Sequence, residues 1–208
     1  MEFRNLGLKI STEDERQYML PLFEFVFKQF IQIFGLEAFN KEQCLVHNDT
    51  TALHPMLIIN KHPIEIRTSV KDLICWASYI YHLSHELTHY VIRQYKPKKE
   101  VIIKWFEETL CEAMSLYSLK KAGESWNECA LASIYPSYGV SLIKFLNEIY
   151  YENSPSVLSQ CHTLFDLQNI ENSCENNRIA RSAERNYLVN TFCAVSYTHL
   201  TLPTKRIV

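Results

Sequence analysis

The segment 71–95 constrains the fold most, because it is a long run without glycine or proline that is apolar on almost every side. At 100° per residue it predicts a helix with one stripe facing the core. Six residues form that stripe: Leu73, Ala77, Ile80, Ser84, Leu87 and Val91. Large apolar residues occupy the flanks: Trp76, Tyr79, Leu83 and Tyr90. A helix that is apolar nearly all round is expected at the centre of a fold, not on its surface.

The remaining face of this helix carries histidines, and residues 85–89 read H-E-x-x-H. His85 and His89 are four residues apart, so they stand on one helical face, one turn apart, and both imidazoles can reach a single Zn²⁺. Glu86 can then reach a water on that metal and act as its general base. Buried imidazoles without partners are costly, and a bound metal supplies the partner.

A third protein ligand is expected from the next helix, where Glu108 follows His89 by nineteen residues. Glu108 and Glu112 are four apart and share one face, so an antiparallel helix could offer Glu108 to the metal. Glu112 would then accept a hydrogen bond from the ring nitrogen of a ligand histidine that does not bind the metal. Glu107 and Glu112 remain alternatives as the third ligand, because a different helix crossing would favour either. Cys111, one helical turn beyond Glu108, could approach the site, but a free, buried thiol is the preferred interpretation.

Residues 56–121 resemble the gluzincin metallopeptidases, which pair H-E-x-x-H with a glutamate on the following helix. Trp105, three positions before Glu108, is similar to the W-x-x-E arrangement of the gluzincin aminopeptidases. The spacing from Glu108 to Glu112 is similar to the E-x-x-x-D arrangement of thermolysin-like enzymes. The chain lacks the glycine-rich exopeptidase motif and is far smaller than either group, so aminopeptidase activity is not implied.

The resemblance implies a zinc metallopeptidase with a peptide or protein substrate and a zincin-like fold. It implies Zn²⁺ as the cofactor, held by His85, His89 and Glu108, with Glu86 as base and then acid, and Glu112 orienting a ligand. Such a site predicts that both histidines and a carboxylate from 107–112 converge within about 4 Å of one point.

The rest of the chain predicts a single α+β domain over 1–194, mainly helical, with a small N-terminal sheet and the H-E-x-x-H helix at its centre. Short strands are predicted at Gln43–His47, Met56–Asn60 and Ile64–Thr68. Helices are predicted at 13–39, 71–95, 100–121, 125–133, 138–151, 155–169 and 174–192. Gly123 is expected at the C′ position that ends the second helix of the site.

Two further parts of a peptidase are predicted by residue type and position. Ile64, Glu65, Ile66 and Arg67 alternate as a half-exposed edge strand does, and such an edge could bind an extended substrate. An oxyanion also needs a donor beyond the metal. The expected candidates are Tyr135, Tyr138 and His162.

Composition excludes several other functions. A net charge of −2 over 208 residues gives no reason to expect nucleic acid or an acidic membrane surface as a partner. The seven cysteines include no C-x-x-C pair and suggest reduced thiols, so a cytoplasmic protein without membrane contact is expected. Residues 195–208 resemble a translated sequencing-adapter read-through and are expected to be non-native.

Two alternatives remain open for the motif. The domain could be a catalytically inactive zincin-like binding module in which zinc serves folding or partner binding. It could also be a helical interaction protein in which H-E-x-x-H occurs by chance, and that alternative predicts no convergence of Glu108 on the two histidines.

Overall fold

The computed structural model describes residues 5–95, 104–151 and 162–176, and over these ranges the fold is mixed α+β. The described strands are β1 (Leu6–Leu8), β2 (Cys44–Asn48), β3 (Met56–Ile58) and β4 (Ile64–Thr68). The described α-helices are α1 (Glu13–Phe34), α2 (Trp76–Tyr95), α3 (Lys104–Glu124), α4 (Tyr138–Tyr151) and α5 (Leu164–Asn176). Three short 3-10 helices lie at Leu36–Phe39, Trp126–Glu128 and Ala130–Ser133. The expected mainly helical body with a small sheet is confirmed.

The sheet has the strand order β1-β2-β4-β3, and this order corrects the predicted edge strand. β4 pairs in parallel with β2 on one side and antiparallel with β3 on the other, so Ile64, Glu65, Ile66 and Arg67 lie inside the sheet. Its alternation arises because Ile64 and Ile66 are buried on one face, not because one edge is open. The strand at the end of the sheet beside β4 is β3.

Local sequence signals explain where α1 begins and ends. The side chain of Thr12 accepts a hydrogen bond from the Glu15 N–H at 3.1 Å, and Glu15 accepts one from the Ser11 N–H at 2.6 Å. This reciprocal arrangement satisfies backbone donors at the helix start. The helix ends at Phe34, earlier than predicted, because Gly35 takes a positive φ of 76° that a helix cannot continue through.

Helix α2 is the central element, as its pattern predicts. It contacts α1, α3 and strands β3 and β4. The predicted core positions Ile80, Ser84, Leu87 and Val91 are all buried. The helix begins at Trp76 instead of 71, because the side chain of Asp72 accepts the Ile74 N–H at 3.1 Å and holds the preceding residues in a turn.

Gly123 does not end a helix, which corrects its predicted role. Helix α3 continues through it to Glu124 with no positive φ at that glycine. Instead α3 and α4 approach each other here: a Cβ on Gly123 would lie 2.5 Å from Ile143 Cδ1, and one on Gly139 would lie 2.8 Å from the Gly123 carbonyl oxygen. These glycines are therefore required by close helix packing.

We expect Gly139→Ala to destabilise the fold by about 1–3 kcal/mol, because the added methyl group meets the Gly123 carbonyl oxygen and the Cβ of the buried Trp126, neither of which can move aside easily. Chemical denaturation monitored by circular dichroism measures the free energy of unfolding. Gly7→Ala is the matched control, since a Cβ there meets only Leu45 Cδ1 at 3.4 Å. A Gly139→Ala protein as stable as Gly7→Ala would contradict the packing interpretation.

The remaining predictions have mixed outcomes. Strand β1 was not predicted. The predicted helix 155–169 overlaps α5 from Leu164 onward, and its residues 155–161 lie outside the described residues. Residues 177–208 lie outside the described residues. They include most of the predicted helix 174–192 and all of the segment 195–208. Within the described ranges, no helix combines the length and the apolar character that crossing a membrane requires.

Candidate metal centre

The packing of α3 against α2 brings Glu108 between the two histidines of the motif. Its Oε2 lies 3.2 Å from His85 Nε2, and its Oε1 lies 3.4 Å from His89 Nε2. The pairs His89–Glu107 and His85–Glu112 run in opposite directions along the two helices, so α2 and α3 are antiparallel. The three predicted metal ligands therefore meet at one place.

The other ring nitrogen of each histidine faces a different glutamate. His89 Nδ1 lies 2.8 Å from Glu107 Oε1, a good hydrogen-bond distance, and His85 Nδ1 lies 3.8 Å from Glu112 Oε2. A carboxylate on Nδ1 favours the tautomer that leaves the Nε2 lone pair free for a metal. Glu112 thus faces His85, and Glu107 faces His89.

Each oxygen of Glu108 lies at about ligand-to-ligand distance from one histidine, Oε2 from His85 and Oε1 from His89. Ligand atoms held about 2.05 Å from a tetrahedral ion lie roughly 3.3 Å from one another. The two Nε2–oxygen separations of 3.2 and 3.4 Å match that span. Two imidazoles and one carboxylate are also donors that zinc accepts in catalytic sites.

The centre is partly open to solvent. The side chains of His85 and His89 are 14% and 15% exposed, and that of Glu108 is 33% exposed. Burial lowers the pKa of His89, but hydrogen bonds to Cys111, Glu107 and Glu108 outweigh it and raise that pKa overall. Burial raises the pKa of Glu108, but hydrogen bonds to both histidines outweigh it and lower that pKa overall. The site therefore concentrates opposite charges at one accessible point.

Glu86, the predicted base, lies deeper than the ligands and is only 4% exposed. Burial raises the pKa of its carboxyl group, opposed by His85 and His89. The carboxylate also accepts a hydrogen bond from the backbone N–H of Leu57 in strand β3. A carboxyl group whose charged form is destabilised by burial is a stronger proton acceptor once ionised.

Cys111 is a free, buried thiol, as preferred from the sequence, and it also approaches the same centre, the other possibility considered for it. Its sulfur and one nitrogen from each of His85 and His89 lie within 4.8 Å of one another. The thiol is fully buried and hydrogen-bonded to His89, and burial raises its pKa to about 12. Two further donor groups thus lie near the histidines, Glu108, whose side chain is 33% exposed, and Cys111, which is fully buried.

Two of the three predicted oxyanion donors, Tyr135 and Tyr138, lie at the distant end of α2, and the third, His162, stays a prediction. The Tyr138 hydroxyl accepts a hydrogen bond from the Ala77 N–H at 3.3 Å, eight residues before His85 and so about 12 Å along the helix. Tyr135 is half-exposed and packs against Trp76, at the same distant end of α2. His162 is exposed at the start of α5, where its N–H bonds Asp166.

Sequence reasoning did not predict the contact of Glu107 with His89 Nδ1, and it preferred a free thiol at Cys111 to a position beside both histidines. A signal for them exists. At 100° per residue, Glu107, Cys111, Glu108 and Glu112 span only about 140° of α3, so all four can face α2 together. The pattern identifies the face but not which side chain meets which ring nitrogen.

We expect Glu107→Ala to weaken zinc binding roughly 10- to 100-fold, because His89 loses the carboxylate that orients its ring. Competition of the full-length chain with a chromophoric chelator measures the affinity. Glu124→Ala at the other end of α3 is the control, since Glu124 pairs with Lys121 and lies away from the histidines. Equal affinities for the two variants would refute a role for Glu107 in the site.

No protein-family model, curated protein or solved structure matches this chain. What the site does must therefore be inferred from its own geometry and chemistry.

Proposed function

We propose that the chain is a zinc-dependent metallopeptidase with a zincin-like fold. The observation that carries the proposal is the position of Glu108, whose two oxygens lie at ligand-to-ligand distance from the Nε2 atoms of His85 and His89. A chance H-E-x-x-H sequence gives no reason for a carboxylate from another helix to bridge the two rings.

The metal would be held by His85, His89 and Glu108. The two imidazoles would be oriented through their Nδ1 atoms, His89 by Glu107 and His85 by Glu112. Zinc, when bound, supplies an activated water and a Lewis acid for the scissile carbonyl. The residues of the chain supply the rest. Since Glu86 follows His85 on the same helix and is buried, its carboxylate can accept the water proton and return it to the leaving amine.

The substrate strand belongs at the outer edge of β3 under this proposal. β3 ends the sheet, and its Leu57 N–H bonds Glu86, so a peptide paired with this edge would pass the base. Met56 in the same strand is 48% exposed. An extended chain can add to such an edge through backbone hydrogen bonds.

A structural zinc site is the second candidate, and the observation that favours it is Cys111. Cysteine is a common ligand of structural zinc, and here a buried thiol lies beside the two histidines. In that case the metal stabilises the pairing of α2 with α3, and the chain has no turnover.

Metal removal tests the proposal. We expect the full chain to bind one zinc per molecule and to cleave a mixed peptide library. Dialysis against a chelator should abolish cleavage, and stoichiometric zinc should restore it. Metal analysis by mass spectrometry and peptide sequencing by mass spectrometry provide the two measurements. One zinc without cleavage would favour the structural site, and cleavage unaffected by chelation would exclude a metallopeptidase.

A further inference from the structure

We propose that Cys111 is itself a ligand of the metal bound by His85 and His89, reaching it from the buried side of the site. Glu108 then shares the opposite, exposed side with solvent. The donor set becomes two imidazoles and a thiolate, completed by an exchangeable carboxylate or water. This inference rests on the metal site of the proposed function and deepens it, since it changes which metals the site selects.

Proximity is the first argument. The Cys111 sulfur and one nitrogen of each histidine already lie within 4.8 Å of one another. A sulfur 2.3 Å and a nitrogen 2.05 Å from a tetrahedral ion are roughly 3.6 Å apart. Closing the difference requires a shift of about 1 Å, which is within reach of side-chain adjustment.

Helix geometry is the second argument. Cys111 follows Glu107 by four residues and Glu108 by three, so it lies on the face of α3 that already contacts both histidines. Its hydrogen bond to His89 places the thiol against a proposed ligand and not in a separate apolar pocket.

The contrast in burial between the two competing donors is the third argument. Cys111 is 0% exposed, whereas the Glu108 side chain is 33% exposed. A buried thiolate on a metal is shielded from solvent exchange, while an exposed carboxylate can give way to water or substrate. The arrangement therefore assigns a fixed role to the sulfur and an exchangeable role to the carboxylate.

A thiolate ligand predicts a preference for soft divalent cations. Thiolates favour Zn²⁺ and similar soft ions, whereas carboxylates suit Mg²⁺ and Mn²⁺. With Cys111 bound, the site should select Zn²⁺, Co²⁺ and Cd²⁺ strongly over Mn²⁺.

Cobalt substitution tests the inference, using the metal-stripped full chain titrated with Co²⁺ alone. We expect one Co²⁺ per molecule and a near-ultraviolet thiolate-to-cobalt charge-transfer band that saturates at the same equivalent. Cys111→Ser should lose this band, and its Co²⁺ affinity should fall by roughly 10-fold or more. Cys44→Ser is the matched control, because Cys44 is also a free, buried thiol but lies in strand β2.

The outcomes distinguish the cysteine ligand from the metal site on which it rests. One Co²⁺ bound without a charge-transfer band, or a band that persists in Cys111→Ser, overturns the cysteine ligand and leaves the metal site standing. No stoichiometric Co²⁺ binding overturns both. X-ray absorption of the zinc-loaded wild-type chain needs no substitution: a sulfur at about 2.3 Å supports the inference, and nitrogen and oxygen ligands alone refute it.

Discussion

Glu86→Gln is expected to reduce the turnover number for peptide cleavage roughly 10²- to 10⁴-fold while leaving zinc binding intact. The amide cannot accept the proton that the carboxylate is proposed to take, yet it has the same shape. Its carbonyl oxygen can still accept the hydrogen bond that the Leu57 N–H donates to Glu86. Zinc content, melting temperature and cleavage rate of the full chain are the three measurements.

We do not expect Glu86→Gln to lose turnover through a loss of folding stability. Burial raises the pKa of Glu86, which means that the fold disfavours its ionised form, and a neutral glutamine avoids that cost. We therefore expect an unchanged or higher melting temperature. Glu15→Gln is the matched control, because Glu15 is 9% exposed and lies on α1, where it bonds the Ser11 N–H. A Glu86→Gln protein that keeps more than about a tenth of the wild-type turnover would rule out the assigned base.

His89→Ala should weaken zinc binding by more than roughly 100-fold, the upper range for residues that merely orient a ligand. His89 is proposed to donate Nε2 to the metal, and its ring also contacts Glu107, Glu108 and Cys111. The variant therefore loses one of the proposed metal donors. Zinc at 100 times its dissociation constant stabilises a protein by about 2.7 kcal/mol, so the wild-type melting temperature should rise with zinc and that of the variant should not.

His82→Ala is the matched control for this substitution. His82 lies on the same helix, one turn before His85, and is half-buried. Burial and the neighbouring His85 lower the pKa of His82 to about 4, so it is neutral near pH 7 and needs no metal to balance a charge. We expect its zinc affinity to equal that of the wild type. Equal zinc-dependent stabilisation of the His82 and His89 variants would show that the motif histidines are not ligands.

Features of the fold that depend on the local sequence pattern could be predicted, and features that depend on pairing between separate segments could not. The central position of α2 was predictable, because its apolar residues recur with the helical period and burial of that surface is the main driving force. The edge of the sheet could not be predicted, since β3 and β4 are both short and neither sequence identifies its pairing partners. Which of them ends the sheet depends on pairing between segments distant in sequence.

The same division applies to individual residues. The sequence by itself determined that His85 and His89 share a helical face, and that residues 107–112 present donors to a neighbouring helix, because both follow from 3.6 residues per turn. Only the tertiary structure decided that Glu108 bridges the two Nε2 atoms, that Glu107 faces His89, and that Cys111 joins the centre. The physical reason is that helical periodicity sets angles within one helix. The rotation and axial offset of α3 against α2 are set by packing of the whole core, including the close glycine contact between α3 and α4.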